Sequence, residues 1–528
     1  MTSLLSPEHA HQWSTRRRSR SWLVPVAVAV VALGVLVAHN GWLLTEPAYA
    51  DADYAANEVL IDDAKDLSLF VGHYSRLGFN HPGPAYLYVQ AAGEVLLFDV
   101  VELVPARYNA QLLTVFALNA ALLGAVAWLL LIGTRNLPAA LTVVALAAFV
   151  LVSETGSPGQ PDRLLVSSWM PALFAPTFLL FMVSGASLLV GRHRSCWLFV
   201  LAGGLLLHGH VSLVAVAGPV ALLVVTWCLI QHRRSEVPFP AERRDLAAAA
   251  LLAGLFAIPV AIQLFLHWPG EWDDYRRAAQ ENASRIAARD ALAYVGSWWA
   301  PRGTVPPLLA FVVLVMAAVI GMATRPPGGV RRTAAGLLAM AALVIPFFTY
   351  YAVNGIDDAG ARYLGYFFLA VPTTVVAVIV LTAADALRRC GSAALRAVPV
   401  LAVIVALTFA ATTPRLANGY RGDSRIPAAV RDLRQDTRRG GRPVALLIDA
   451  RSWGPAIGVL SHAVNHGLPM CIEDPSWRFA VTDEEICPTQ PAQEHWRIRG
   501  TYIEAATEPP GGTLTRTDNL ALLEEPSP

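Results

Sequence analysis

The sequence predicts a mainly α, polytopic membrane protein of about eleven transmembrane helices, followed by a small extracytoplasmic α/β domain. Three observations support this fold class. Of the 528 residues, 55% are hydrophobic and only 15% are charged, whereas a soluble protein carries about 25% charged residues. Apolar windows long enough to cross the ~30 Å hydrocarbon core recur as far as residue 413. Beyond that point the pattern changes to short strands and helices.

Eleven segments are apolar enough to be predicted as spans. They are residues 22–44, 109–133, 137–152, 169–190, 196–208, 211–230, 245–268, 305–323, 333–353, 364–383 and 397–413. Arginine clusters fall on one side of this arrangement and most acids on the other, and the positive-inside rule makes the arginine side cytoplasmic. We therefore expect a multi-pass protein of the plasma (inner) membrane, with a cytoplasmic N-terminus and an extracytoplasmic C-terminal domain. The first apolar run is interpreted as a retained helix, with cleavage after Ala48-Tyr49-Ala50 as the alternative.

The predicted domains follow from these segments. Residues 1–21 form a cytoplasmic tail, 22–413 the transmembrane domain with a large first outer loop at 45–108, and 414–507 the outer α/β domain. Residues 508–528, rich in Gly, Pro, Thr and Glu, are predicted to be disordered. Cys471 and Cys487 fall outside the cell, where a disulfide persists, so they are predicted to pair. No phosphate-binding loop is found, which argues against a nucleotide-driven pump. No nucleic-acid partner is expected, and the net charge of +1 by itself does not bear on this point.

The first outer loop carries the acids most suited to chemistry. Asp51 and Asp53 follow the first span in the run Asp51-Ala52-Asp53-Tyr54. A carboxylate at this place can take the proton of an attacking hydroxyl. Two nearby carboxylates can also hold a divalent ion such as Mg²⁺ or Mn²⁺, although nothing in the sequence requires a metal or other cofactor. The alternative is that these acids are solvated loop charges.

Further along the same loop, Gly and Pro residues fix a sharp turn next to an aromatic segment. His73, Arg76, Asn80 and His81 lie at this turn and can meet phosphate or hydroxyl groups. The alternative is that they satisfy backbone groups of the turn.

Other outer segments add weaker candidates. Arg362 and Tyr363 begin a late span, and an arginine there binds phosphate or only snorkels to headgroups. Asp162 lies in another outer loop as a second acid or an ion-pair partner. The pair His208 and His210 is interpreted as a polar helix turn, because two histidines alone are weak evidence for a metal. Trp298-Trp299 is interpreted as a headgroup anchor, with a sugar platform as the alternative.

These motifs resemble those of the GT-C superfamily of integral-membrane glycosyltransferases, in particular its protein mannosyltransferase and aminoarabinose transferase branches. Asp51-Ala52-Asp53-Tyr54 resembles their acid motif after the first helix. His81-Pro82-Gly83-Pro84-Ala85-Tyr86-Leu87-Tyr88 resembles their proline-aromatic re-entry, and Arg362-Tyr363-Leu364 resembles their Arg-Tyr-Leu entry to a late helix. Two departures are that Ala52 separates the acids and Gly83 separates the prolines. The arginine-rich, lysine-poor composition resembles that of actinobacterial envelope mannosyl- and arabinosyltransferases.

The resemblance implies an inverting transfer of mannose or arabinose from a polyprenyl phosphate to a cell-envelope glycan, lipid or protein. Asp51 or Asp53 would be the base, and Arg362, with Arg76 or His81, would bind the donor phosphate. Membrane lipids would surround the helices, and the outer domain would bind an acceptor. The competing classes are a transporter or lipid flippase, which would place ionisable residues inside the spans, and a non-catalytic scaffold.

Overall fold

The structure is a computed structural model that describes residues 22–154, 163–234, 243–281, 286–300, 306–390, 408, 411, 425–437, 444–488, 496–504, 507–508, 511–517 and 519–525. Its first fourteen α-helices belong to the membrane domain and its outer loops. They are α1 Leu23–His39, α2 Ala52–Lys65, α3 Ala85–Glu94, α4 Arg107–Thr134, α5 Leu137–Ser153, α6 Met170–Leu189, α7 Cys196–Gly209, α8 Val211–Arg234, α9 Arg243–Leu266, α10 Trp272–Glu281, α11 Ala288–Ser297, α12 Pro307–Ala323, α13 Gly328–Gly355 and α14 Ala370–Arg389. A 3₁₀ helix, Arg362–Leu369, leads into α14.

The helices agree with the predicted spans. Ten of the eleven predicted segments coincide with helices, and the eleventh, 397–413, lies almost entirely outside the described residues. Within the described ranges, six helical segments are long and apolar enough to cross a membrane, and three shorter ones are apolar. The chain is therefore a multi-pass membrane protein. Its central helix is α6, which is almost wholly buried because α4, α7, α13 and the Arg362–Leu369 segment surround it.

The first outer loop is folded and not extended. It contains α2, a hairpin of β1 (Tyr74–Ser75) and β2 (Phe79–Asn80), and α3. Gly78 takes the left-handed φ of +80° that this tight turn needs, a conformation that glycine adopts without steric cost. Helix α3 re-enters after Pro84 and packs against α4. The loop thereby places the acid motif and the hairpin side by side at one end of the helix bundle.

The C-terminal α/β domain contains helices α15 (Ile426–Thr437) and α16 (Trp453–Asn465) and a five-stranded sheet. The strands are β3 Val444–Ile448, β4 Met470–Ile472, β5 Trp496–Tyr502, β6 Thr513–Arg516 and β7 Leu520–Glu524, in the order β4-β3-β5-β7-β6. Strands β3, β4 and β5 are parallel, and β7 pairs antiparallel with β5 and β6. Cys471 and Cys487 form a disulfide.

The prediction of a disordered tail at 508–528 is wrong. Strands β6 and β7 lie in this segment and complete the sheet. Leu520, Ala521 and Leu522 are fully buried. Full burial of a leucine side chain stabilises the fold by ~1.5–3 kcal/mol. The polar composition of the flanking residues concealed this short buried run.

The anchor predicted at Trp298-Trp299 is also wrong. Both indoles are buried, with 4% and 5% of their surface exposed. Trp299 packs edge-on against Phe311 at 4.8 Å between ring centroids, and Trp298 lies below the guanidinium of Arg362. The pair therefore fills the protein core instead of the headgroup layer.

The C-terminal domain is held against the acid motif by α2 and α16. Gly458 of α16 permits this approach, since a Cβ there would lie 3.1 Å from the Ala50 carbonyl oxygen. The Ser461 hydroxyl donates a 2.7 Å hydrogen bond to the buried carboxyl of Glu58 in α2. Burial, which outweighs that hydrogen bond, raises the pKa of Glu58 to about 7.

We expect this contact to weaken as the pH rises. The folded-state pKa of Glu58 lies above its ordinary value, so its contribution is complete below about pH 4.5 and is lost as the pH rises through about 7. The melting temperature should therefore fall between pH 5.5 and 8, and Glu58→Gln should reduce that fall. Burial, followed by the charge of Glu485, raises the pKa of Asp63 to about 7. Asp63 therefore adds to the same fall of the melting temperature with rising pH.

The measurement is thermal unfolding of the parent, Glu58→Gln and Asp273→Asn at three pH values. Asp273 is half-exposed on α10 and serves as the control. Equal slopes in the parent and Glu58→Gln would mean that Glu58 does not titrate in this range.

Candidate active site

A cavity of about 800 Å³ opens where the first outer loop, the outer ends of the spans and the C-terminal domain meet. The loop contributes Asp53 and the hairpin, the helix bundle contributes Trp169 and Tyr363, and the C-terminal domain contributes an aromatic wall. A cleft of this size between elements, lined by aromatic groups and a few polar ones, is the usual form of a small-molecule site.

The carboxylate of Asp53 is fixed in the cavity wall by two donors. The Trp169 indole N–H donates a 2.7 Å hydrogen bond to Oδ2, and the Tyr74 hydroxyl donates to Oδ1. Trp169 sits at the start of α6, while Tyr74 lies in β1, so two distant segments orient one side chain. An ionised carboxylate has about four acceptor positions, and Asp53 therefore keeps acceptor capacity for a substrate hydroxyl.

The two aspartates of the acid motif occupy different surroundings. Ala52 between them has a left-handed φ of +44°, which an L-residue adopts only at a cost of about 1–2 kcal/mol. Asp51 is the N-cap residue of α2, its Cα lies against Gly458, and it is not among the cavity-lining residues. Tyr54 likewise packs beside Tyr108, at 5.8 Å between ring centroids, and does not line the cavity.

Three histidines meet in the wall of the cavity. The ring centroids of His73 and His81 are 4.3 Å apart, and those of His81 and His210 are 4.0 Å apart. Burial, reinforced by the neighbouring rings, holds the pKa of both His73 and His81 well below the usual range, and burial lowers the pKa of His210 to about 4. All three rings are therefore neutral at pH 7.

Donors at the start of α8 contact two of these rings, and the Ser212 hydroxyl also lies 2.6 Å from Nδ1 of His210. The Val211 N–H donates to Nδ1 of His81 at 3.4 Å, and the Ser212 N–H donates to Nδ1 of His210 at 3.2 Å. In a neutral imidazole with Nδ1 as acceptor, the proton lies on Nε2. His81 is 2% exposed, and both rings line the cavity. They thus present N–H donors near the positive end of a helix dipole.

The arginines proposed for the donor phosphate are placed differently from each other. Arg76 lines the cavity at the hairpin tip and pairs with Asp357 at 2.6 Å. Arg362 pairs with Glu154 at 2.8 Å, lies 4.2 Å above the Trp298 ring, and is not among the cavity-lining residues. Its neighbour Tyr363 does line the cavity, with its ring 5.1 Å from that of Trp169.

Asn80 joins three parts of the site instead of lining it. Its backbone N–H donates to Glu271, its carbonyl accepts from the Tyr275 hydroxyl, and its side-chain amide donates to the Phe479 carbonyl at 3.2 Å. Asp162 lies outside the described residues.

Sequence reasoning missed Tyr74, Trp169 and His210 as site residues. A tyrosine or tryptophan at a span boundary resembles an ordinary interface anchor, and only long-range folding brings both to Asp53. The His208-Gly209-His210 run was a usable signal, but the two histidines separate: His208 bonds the Phe256 carbonyl, and His210 faces the cavity.

The site does not fit a metal held by the acid motif. Both Asp53 oxygens accept hydrogen bonds, and Asp51 stands apart from the cavity. Across the ranges that the structure describes, no three His, Cys, Asp or Glu side chains are grouped to hold a metal ion.

Comparison with solved structures shows which fold this is. The chain is similar to ArnT from Cupriavidus metallidurans bound to undecaprenyl phosphate, at 15% identity over 95% of this chain and 98% of ArnT, with a TM-score of 0.51. The apo state of that ArnT gives 14% identity, 96% and 98% coverage and a TM-score of 0.52.

The chain has the GT-C fold. AglB from Archaeoglobus fulgidus, in complex with an inhibitory peptide and a dolichol-phosphate, gives a lower TM-score of 0.41 at 12% identity, over 92% of this chain and 70% of AglB. No protein-family model matches the sequence, and no curated protein matches it. The predicted mainly α, polytopic fold with a small C-terminal sheet is confirmed.

Proposed function

We propose that the chain is a membrane glycosyltransferase that moves a sugar from a polyprenyl-phosphate donor to an acceptor hydroxyl. The observation that carries this proposal is the carboxylate of Asp53, oriented by Tyr74 and Trp169 in the wall of a cavity large enough for a sugar. The GT-C fold and the undecaprenyl phosphate bound to ArnT support the choice of donor class. Mannose and arabinose are the donor sugars to test first. The acid and re-entry motifs resemble those of protein mannosyltransferases, and the arginine-rich composition resembles that of actinobacterial mannosyl- and arabinosyltransferases.

In this mechanism the oxygen of the acceptor hydroxyl attacks the anomeric carbon, and Asp53 accepts the proton of that hydroxyl. One C–O bond forms, the bond between the anomeric carbon and the phosphate oxygen breaks, and polyprenyl phosphate leaves with the electron pair. General-base assistance of this kind contributes about 10²- to 10⁴-fold. A single displacement inverts the anomeric centre. Asp53 is the better candidate for the base than Asp51, since Asp51 does not line the cavity.

The leaving phosphate has two sources of stabilisation in the cavity. His81 and His210 line the cavity beside the start of α8, and the Nε2–H groups of their rings would donate to the leaving phosphate. Arg76 lies at the tip of the hairpin. It would contact the phosphate once its ion pair with Asp357 opens. Arg362 remains a prediction, and its contact with a phosphate would require the Glu154 pair to open.

The test of the function uses purified protein in nanodiscs with labelled polyprenyl-phospho-mannose or decaprenyl-phospho-arabinose and a cell-envelope acceptor. We expect label in the acceptor, release of polyprenyl phosphate in equal amount, and inverted anomeric configuration by NMR. In proteoliposomes, intact donor that crosses the membrane without cleavage would instead establish a transporter or flippase. Absence of cleavage and of crossing with both donors would favour a scaffold.

His81→Phe is expected to raise the KM for the donor about tenfold or more. A hydrogen bond to a charged group is worth roughly 1.5–3 kcal/mol, and the phenyl ring keeps the volume of the imidazole without its N–H. Steady-state kinetics with varied donor measure the effect. His462→Phe is the control, because His462 packs with Tyr49 outside the cavity. An unchanged donor KM in folded His81→Phe would remove His81 from the phosphate site.

A further inference from the structure

The C-terminal domain contributes a continuous aromatic surface to the same cavity. Trp453, Trp477 and Phe479 line it together with Tyr74. The Trp453 and Trp477 rings are nearly parallel, at 8° and 5.9 Å between centroids, and Trp477 and Phe479 are at 23° and 6.1 Å. Tyr74 meets Trp453 edge-on at 5.3 Å. Because the Tyr74 hydroxyl also bonds Asp53, the surface starts at the proposed base.

These rings are held in place by their own domain. Trp477 and Phe479 belong to a 3₁₀ turn that Asp474 caps through a 2.9 Å hydrogen bond from the Ser476 N–H. The Cys471–Cys487 disulfide encloses this turn. The Asn80 amide joins it to the hairpin through the Phe479 carbonyl. The aromatic surface is thus preorganised, which lowers the ordering cost of binding.

The three rings are only partly buried, although large aromatic side chains bury 150–250 Å² when fully packed. Among the described residues, neither the Trp453 nor the Trp477 indole N–H donates to a protein group. A surface of ring faces with unused N–H donors offers apolar contact and polar contact side by side. The flat C–H face of a sugar ring and its rim of hydroxyls match both features, since C–H groups meet the negative ring face.

We infer that Trp453, Trp477 and Phe479 form a binding site for a carbohydrate acceptor, with its reactive hydroxyl directed to Asp53. The inference rests on the proposed function and specifies its acceptor as a glycan. A lipid acceptor needs long aliphatic contacts, and a peptide acceptor that binds as an added strand needs an exposed strand edge. The aromatic wall provides neither of these.

The experiment compares the parent, Trp477→Ala, Trp477→Phe and Trp496→Ala. Trp496 belongs to the same domain but lies in β5 outside the cavity. Binding of mannotriose and arabinotriose is measured by saturation-transfer NMR without donor, so the result does not depend on transfer. We expect one trisaccharide to bind the parent, with affinity lowered roughly tenfold in Trp477→Ala and restored in Trp477→Phe.

Steady-state kinetics then distinguish acceptor binding at the aromatic surface from donor binding and donor cleavage. Trp477→Ala should raise the acceptor KM roughly tenfold, while the slow hydrolysis of donor by water and the donor KM stay as in the parent. If neither trisaccharide binds the parent, or if folded Trp477→Ala binds like the parent, the carbohydrate site is refuted even where transfer is observed. Transfer to a serine-containing peptide that is unaffected by Trp477→Ala would identify a protein acceptor instead. Failure of donor cleavage in the parent with intact trisaccharide binding would refute the proposed function alone.

Discussion

Replacing Asp53 with Asn is expected to lower kcat for sugar transfer by about 10²- to 10⁴-fold, the usual contribution of a general base. The amide keeps the shape of the carboxylate and loses its capacity to accept a proton. Asp51→Asn should stay within a few-fold of the parent, because Asp51 lies against Gly458 and does not line the cavity. Single-turnover transfer of labelled sugar measures both variants without interference from product release.

The comparison of Asp53→Asn with Asp51→Asn decides which aspartate is the general base. Melting temperatures within a few degrees of the parent show that each variant is folded. If Asp51→Asn lost transfer while Asp53→Asn kept more than a tenth of it, the base would be Asp51, and the cavity assignment would be wrong. A smaller, separate effect is expected for Tyr74→Phe, since Tyr74 only orients the Asp53 carboxylate.

The second large effect is expected on stability, at Lys65. This is the single lysine of the sequence. Its ammonium group lies 2.9 Å from Glu94, a carboxylate that is 1% exposed, and 3.0 Å from Asp62. Removing one partner of a buried ion pair costs about 3–5 kcal/mol. Gln111 and Arg107 still contact Glu94 in this variant, at 3.0 Å and 3.6 Å, so Lys65→Met should lower the free energy of unfolding by about 3 kcal/mol, the low end of this range.

Denaturant titration in mixed micelles measures this loss. Lys65→Met with Glu94→Gln should recover part of it, because this removes a buried carboxylate whose remaining cationic partner is Arg107 at 3.6 Å. Arg276→Met is the matched control: it breaks a pair of similar length between exposed side chains, which is worth at most about 1 kcal/mol. A loss in Lys65→Met no larger than in the control would show that Glu94 does not depend on Lys65.

The Arg362 prediction shows the limit of reasoning from one short motif. An arginine at a span entrance has the same sequence signature whether it binds phosphate, snorkels or pairs with a carboxylate. The structure places its guanidinium between Glu154 and the Trp298 ring. Glu154 is more than 200 residues away along the chain, and no local pattern announces such a partner. The role of Arg362 toward a donor thus stays a prediction.

The amino-acid sequence by itself determined the membrane helices, because length and hydropathy are local properties that the ~30 Å hydrocarbon core selects directly. It also indicated the short strands and helices beyond residue 413 and the pairing of Cys471 with Cys487. The prediction failed at the final strands, where a buried run of three residues is too short to be recognised without its partner β5.

Only the tertiary structure decided which acid faces the cavity and what surrounds it. Asp51 and Asp53 are equivalent in sequence, and the left-handed turn at Ala52 separates their surroundings. The donors to Asp53 come from β1 and from the start of α6, and the aromatic wall comes from about 400 residues downstream. Hydrogen-bond geometry over such separations depends on how the outer loop, the helix bundle and the C-terminal domain pack, which no local pattern encodes.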